Sequence, residues 1–198
     1  MQPGIDVVVI GGSSGALEAL AVVLPALPAD TAVPIVIVVH LPPDRPSHLA
    51  AVLGARTALR VREAEDKEPL APGVIYVGPP NYHLLIERGG TLSLSADDLL
   101  HFSRPSIDVL FESAADAYGA RLTGVVLSGA NADGADGLAA IRRAGGLAVA
   151  QAPESALVRT MPEAAIARAH PEYVLDLAQM AELVARIAVS RTPRISDD

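Results

Sequence analysis

Short β-branched runs alternate with longer stretches rich in Ala and Leu, and this alternation constrains the fold more than any other feature. The β-branched runs lie at 7–10, 35–39, 74–77, 124–128, 147–150 and 173–176. Apolar residues recur at helical spacing in 14–24, 46–53, 106–118, 133–144 and 179–188. Such alternation predicts an α/β fold, with a doubly wound, mostly parallel sheet and helices on both faces.

One segment departs from this pattern. The sequence HLLIERGGTLSLS at 83–95 contains two alternating runs that are joined through Arg88, Gly89 and Gly90. Glycines between two alternating runs favour a β-hairpin. We therefore expect an antiparallel hairpin at one edge of the sheet.

The length and composition indicate one globular domain. A chain of 198 residues can bury a sizeable core, and with 51% hydrophobic but only 3% aromatic residues that core is built mainly from Val, Leu, Ile and Ala. We assign residues 1–189 to this domain. The polar segment 190–198, SRTPRISDD, has no apolar period and is predicted to be a disordered tail.

Charge and cysteine content exclude several kinds of partner. The net charge is -8 and no basic run offsets it, so nucleic acid is not an expected ligand. The chain has no cysteine, hence no disulfide and no thiolate metal site, and its first residues, MQPGID, lack the basic and then apolar segments typical of a signal peptide. The apolar run 33–39 is far shorter than the ~20 residues that span a bilayer. We expect a cytoplasmic protein without membrane insertion.

The first predicted strand ends in a glycine-rich turn, Gly11 to Gly15, that satisfies the pattern G-x-S-x-G around Ser13. Small flanking residues permit a sharp strand-to-helix turn that exposes a serine oxygen. A dinucleotide site is disfavoured, because the glycine spacing is wrong and the second strand leads into His40 rather than an acidic residue. A simple helix cap stays open as an alternative role for the serine.

A serine nucleophile needs a base, and the base needs an orienting group. His40 follows the strand IVIVV directly, whereas His48, His83, His101 and His170 fall in a helix, a hairpin or polar surroundings. Asp133 follows another strand, in GVVLSGANADGADGL. Three strand ends would thus bring Ser13, His40 and Asp133 to one edge of the sheet, the constellation for acyl transfer to water.

Asp133 also has two alternative interpretations. An Asp beside a glycine turn is commonly a helix cap. Asn131, Asp133 and Gly134 match three positions of a calcium loop, but Gly129 and Ala140 stand where its first and last carboxylates belong.

Taken together, these motifs resemble the catalytic domain of the CheB family, the protein-glutamate methylesterases and glutamine deamidases of bacterial chemotaxis. The resemblance runs from Val7 to about Ile187 and includes VVVIGGSSGALEAL, IVIVVHLPP, GVIYVGPPNYHLLI, RPSIDVLFESAA, GVVLSGANADGADGL and GGLAVAQAPESALVRTMPEAA. It implies Ser13 as the nucleophile, His40 as the base and Asp133 as the orienting carboxylate. Main-chain groups of Ser14 and Ala130 are the expected oxyanion donors.

The resemblance further implies hydrolysis of glutamate γ-methyl esters, and deamidation of glutamines, on the cytoplasmic helices of chemoreceptors. No metal and no organic cofactor is implied. The chain departs from the family pattern G-M-G-x-D-G at Ala130 and Asn131, from a usual glycine at Ala16, and from a common threonine at Ser14.

The family's usual enzyme carries an N-terminal receiver domain, and the first strand here begins so early that we expect none in this chain. A separate receiver or kinase component is then a candidate regulator. Two rivals to the methylesterase stay open: a catalytically idle module that binds receptors or signalling partners as a scaffold, and a hydrolase of the same mechanism that acts on another ester or amide.

Overall fold

A computed structural model describes residues 6–41 and 47–189. The strands are β1 Val7–Gly12, β2 Ile35–Val39, β3 Arg60–Glu63, β4 Val74–Val77, β5 His83–Glu87, β6 Thr91–Ser95, β7 Leu122–Val126, β8 Leu147–Gln151 and β9 Tyr173–Leu175. The helices are α1 Ala16–Val23, α2 Leu49–Gly54, α3 Ile107–Tyr118, α4 Ala135–Arg143, α5 Thr160–Ala169 and α6 Leu177–Val189. The tail predicted at 190–198 lies outside the described residues.

In the described part of the chain, seven strands form one parallel sheet in the order β3-β4-β2-β1-β7-β8-β9. The predicted α/β class is confirmed. The hairpin β5-β6 is antiparallel as expected, but it forms a two-stranded sheet of its own instead of extending an edge of the main sheet. It packs against α3, where its apolar side chains Leu84, Ile86 and Leu92 are buried in the core beneath that helix.

The two faces of the sheet carry separate cores, as the period of two in a strand requires. Val8 and Ile10 face α1, α2 and α6, while Val7 and Val9 face α3, α4 and α5. All four side chains are essentially fully buried. Burial of each such side chain contributes roughly 1.5–3 kcal/mol, so the central strands anchor both layers.

Two elements, β3 and α5, are not predicted by the sequence pattern. Strand β3 has the sequence RVRE and forms the charged edge of the sheet, which protects the edge from pairing with another chain. Helix α5 has a Pro in its first turn and a high Ala content, so its apolar period is weak, although Met161, Ala165 and Ala169 are buried. None of the helices within 6–41 and 47–189 combines the length and the apolar character that a bilayer span demands.

The close approach of β1 to α3 leads to a stability prediction. A Cβ at Gly11 would lie 2.2 Å from Cγ2 of Ile107, the first residue of α3, whereas a Cβ at Gly54 would meet nothing nearer than 3.7 Å. We expect Gly11→Ala to lower the free energy of unfolding by about 1–3 kcal/mol through overpacking, and Gly54→Ala to be neutral or stabilising. Urea unfolding of both variants measures this, and equal effects would contradict it.

Candidate active site

The candidate site lies where the strand order reverses. β1 is flanked by β2, which leads outward to β4 and β3, and by β7, which leads outward to β8 and β9. Ser13 directly follows β1, His40 directly follows β2, and Asp133 lies in the loop between β7 and α4. Ligands of open parallel sheets bind at such a switch point, beyond the carboxyl ends of the strands.

The ladder between β1 and β2 sets Ser13 beside His40. Gly12 pairs with Val39, and the N–H of His40 donates to the carbonyl oxygen of Gly12 at 3.2 Å. On the other side, the N–H of Ser13 donates to the carbonyl oxygen of Ser128 at 2.9 Å. The main chain at Ser13 is therefore tied to both neighbouring strands.

Ser128 fixes the turn that follows Ser13. Its buried hydroxyl donates to the carbonyl oxygen of Ser14 at 2.7 Å and accepts from the N–H of Val158 at 2.9 Å. Gly15 has φ +84°, and a Cβ there would lie 2.6 Å from the Ser128 hydroxyl oxygen. Only glycine combines this backbone conformation with this approach. No sequence motif pointed to this role of Ser128.

The carboxylate of Asp133 is fully buried and lies at the N-terminus of α3. One of its oxygens accepts from the Ser106 hydroxyl at 2.8 Å and the N–H of Asp108 at 3.0 Å. The other accepts from the N–H of Ile107 at 2.7 Å and from Nε2 of His40 at 2.7 Å. Four donors occupy the roughly four lone-pair positions of a carboxylate.

These contacts determine the protonation state of Asp133. Burial raises the pKa of this carboxyl, but hydrogen bonds from His40, from the main chain of Asp108 and Ile107, and from Ser106 outweigh burial and hold the pKa below its usual range. The positive end of the α3 dipole acts in the same direction. Asp133 is therefore ionised at neutral pH.

A second buried carboxylate, that of Asp108, links α3 to α4. Asp108, in the first turn of α3, accepts from the N–H of Gly137 in the first turn of α4 at 2.7 Å. Burial, the largest cause, raises the pKa of Asp108 to about 6. Neither helix has a side-chain cap from its own N-cap residue, so each is capped by an acidic residue associated with the other.

The ring of His40 is oriented by Asp133. Because Nε2 faces an ionised carboxylate, Nε2 carries the proton and Nδ1 carries the lone pair. Nδ1 lies 3.4 Å from the hydroxyl of Ser103. Among the described residues no hydrogen bond joins Oγ of Ser13 to His40, so the contact predicted between them requires a side-chain movement, as is common in enzymes without bound substrate.

The loop before Asp133, residues 127–132, contains no residue in the left-handed backbone conformation. The N–H of Asp133 donates to the side-chain oxygen of Asn131 at 3.2 Å, and Asn131 itself has no positive φ. Within the described part of the chain, the N–H groups of Ser14 and Ala130 have no hydrogen-bond acceptor. Both are the groups that the sequence analysis nominated as oxyanion donors.

His101, Asp108 and Asp133 place potential metal-ligand atoms within 4.8 Å of one another. A metal ion would have to displace one of the four donors that already surround Asp133. The group is therefore better described as a hydrogen-bonded network than as a metal centre.

His83, in the hairpin, is a structural residue. It is buried, its Nδ1 accepts from the N–H of Ser106 at 3.1 Å, and its Nε2 lies 2.9 Å from the carbonyl oxygen of Asp98. His48 and His170 lie at the ends of helices, and His101 contacts Asp108. His40 is the histidine at the candidate site.

Comparisons with known proteins agree with this architecture. The model of the CheB methylesterase family matches residues 8–184. The crystal structure of the Thermotoga maritima CheB methylesterase catalytic domain superimposes with a TM-score of 0.88 at 32% identity, covering 93% of this chain and 99% of that one. The chain belongs to the CheB methylesterase family, and the prediction of a methylesterase-type enzyme is confirmed at the level of the family.

Curated relatives differ in how much of their length is matched. A Leptospira interrogans protein named for both protein-glutamate methylesterase and protein-glutamine glutaminase activity is 46% identical over 92% of this chain and 94% of its own length. A relative from Methanosarcina acetivorans, named for the same activities, is 37% identical over 92% of this chain but only 53% of its own length. Relatives of both lengths are thus similar in sequence to nearly the whole of this chain.

The two neighbouring carboxylates are expected to affect stability with opposite sign. Because the pKa of Asp133 is lowered by folding, this carboxyl stabilises the fold at pH values above its pKa in the unfolded chain. The contribution is lost as the pH falls through the pKa of the folded protein. Folding raises the pKa of Asp108 from 3.8 to about 6, so the protonated carboxyl is the form that the fold favours. Its contribution to stability is fully present below pH 4 and is lost as the pH rises through 6.

We therefore expect Asp108→Asn to raise the free energy of unfolding at pH 7 by about 1–3 kcal/mol, and this gain to vanish near pH 4. Asp133→Asn should lower it at pH 7 by about 1–3 kcal/mol, because buried donors lose their charged acceptor. Urea unfolding at both pH values measures each effect. Destabilisation by both substitutions at pH 7 would contradict the opposite effects on stability that are expected of the two carboxylates.

Proposed function

We propose that this chain is a serine hydrolase that removes methyl groups from glutamate γ-methyl esters of chemoreceptors and deamidates receptor glutamines. The observation that carries the proposal is the buried Asp133 carboxylate, which orients His40 beside Ser13 at the switch point of a CheB-family fold. The family and the names of its relatives supply the substrate class.

In the first half of the reaction, the Ser13 hydroxyl proton passes to Nδ1 of His40 while Oγ attacks the γ-carbonyl carbon of the substrate. The resulting imidazolium is stabilised by the ionised Asp133 at Nε2. His40 then gives the proton to the leaving group, which departs as methanol from an ester or as ammonia from an amide. The product is an acyl-enzyme on Ser13.

In the second half, water attacks the acyl-enzyme with His40 as the base, and glutamate and free Ser13 are released. Both halves develop negative charge on the carbonyl oxygen. The N–H groups of Ser14 and Ala130, which meet no acceptor among the described residues, are the proposed donors to this oxygen, and they border the edge on which Ser13 lies. The Asn131 side chain accepts a hydrogen bond from the N–H of Asp133 and so holds the loop that contains Ala130 in place.

The proposed substrate is a cytoplasmic helix of a methyl-accepting receptor. Because the protein carries a net charge of -8, long-range attraction to a glutamate-rich helix cannot drive the encounter. Docking must therefore depend on shape and on local contacts at the site. A separate receiver or kinase component is the proposed source of regulation.

Ser13→Ala should reduce methanol release from a methylated receptor by at least ~10³-fold, because the nucleophile is lost. Ser14→Ala keeps its main-chain N–H, and we expect its rate to stay within a few-fold of the native protein. Methanol release from co-purified methylated receptor measures both, with thermal unfolding as the folding control. Comparable rates for Ser13→Ala and native protein would refute the assignment.

The same assay separates the two rival functions. A scaffold would bind receptor without methanol release, and a hydrolase for another ester would turn over small esters but not the receptor. The four donors around Asp133 and its contact with His40 favour catalysis over a scaffold, because a scaffold does not require an oriented imidazole.

A further inference from the structure

A second histidine–carboxylate pair lies directly behind the candidate catalytic pair. Nε2 of His101 lies 3.2 Å from Oδ2 of Asp108. The side chain of Asp108 is only 3% exposed, while that of His101 is 42% exposed. Asp108 and Asp133 share the start of α3, where the N–H of Asp108 donates to Asp133.

Asp108 lies among groups of both signs. Its Oδ1 accepts from the N–H of Gly137, while the charges of Asp133 and Asp136 oppose its ionisation and His101 favours it. Asp136, on α4, is itself paired with Arg168 of α5. From the hairpin, His83 faces the start of α3 and is bonded to the main chain of Ser106 and Asp98.

A short turn presents His101 to Asp108. Leu100 and Ser103 pair as an isolated antiparallel bridge, and the two residues between them, His101 and Phe102, have φ of +50° and +60°. Ser103 of the same turn reaches Nδ1 of His40. One turn therefore contacts both histidine–carboxylate pairs.

We propose that His101 and Asp108 are positioning residues that act through Asp133 to support the imidazolium of His40 and set the acidic limit of the reaction. The effect on rate rests on the proposed function, but the coupling between the two pairs does not.

The coupling follows from charge and hydrogen bonding. An ionised Asp108 adds negative charge behind Asp133, which stabilises the imidazolium that forms on His40 during catalysis. A protonated Asp108 removes that charge and so weakens the stabilisation of the imidazolium. The contact with His101 favours the ionised form of Asp108 and so lowers the pKa of that carboxyl.

Matched asparagine variants test this coupling. His101 and His170 are both exposed and have similar φ values, +50° and +47°. Asn tolerates that backbone conformation, so His101→Asn and His170→Asn differ chiefly in the loss of the contact with Asp108. Asp108→Asn removes the titrating group itself, and its expected stability keeps the test independent of the folding of His101→Asn.

The measurement is an NMR titration that follows the Asp108 side-chain carbon and the ring nitrogens of His40. In the native protein and in His170→Asn, the His40 nitrogens should show a step at the Asp108 midpoint near 6. In His101→Asn the step should move up by about 0.5–1 pH unit, and in Asp108→Asn it should vanish. A native protein without this step, or a step unmoved in His101→Asn, would overturn the proposal.

A pH–rate profile adds the catalytic consequence. His101→Asn should lose about three- to ten-fold more activity at pH 6 than at pH 8, relative to His170→Asn. A loss equal at both pH values would show a merely structural role and would also overturn the proposal. If no variant and no native sample releases methanol, the proposed function fails while the NMR titration still decides the coupling.

Discussion

The burial of one carboxylate at the start of a helix is the interaction on which this site depends. Asp133 brings a negative charge into the interior, where it would be costly without partners. Two main-chain N–H groups of α3, the Ser106 hydroxyl and the His40 ring together satisfy it. The group that orients His40 is thus also the group that joins α3 to the loop after β7, and so geometry and stability have a common origin.

The sheet supplies the rest of the arrangement. Because parallel strands end at the same edge, residues that are far apart in sequence need only follow their strands directly in order to meet. The register of β1 with β2 and with β7 does this for Ser13, His40 and the loop of Asp133. The glycines at 15 and 134, both with φ near +90°, then allow each chain to turn at once into its helix.

The sequence predicted the features that are local, and it missed those that depend on contacts between distant segments. The α/β class, the hairpin, and the strand-end positions of Ser13, His40 and Asp133 follow from the spacing of apolar residues and from the glycine-rich turns between them. The roles of Ser128 and Asp108 do not, because their partners lie about 30 residues or more away along the chain. The role of His101 depends on the left-handed turn that brings it to Asp108. The separate position of the hairpin likewise reflects packing on α3. The catalytic roles of the three strand-end residues remain predictions.

The exchange of acidic residues between α3 and α4 has a consequence for how this edge can vary. Asp133 and Gly137 are four residues apart, and Ser106 and Asp108, which contact them, are two residues apart, so both spacings must be kept for either carboxylate to find its partners. Inserting or deleting a residue there would uncouple two helices at once. Changes in chain length at this edge are therefore expected in the flanking surface loops, outside the segments that carry the two carboxylates and their donors.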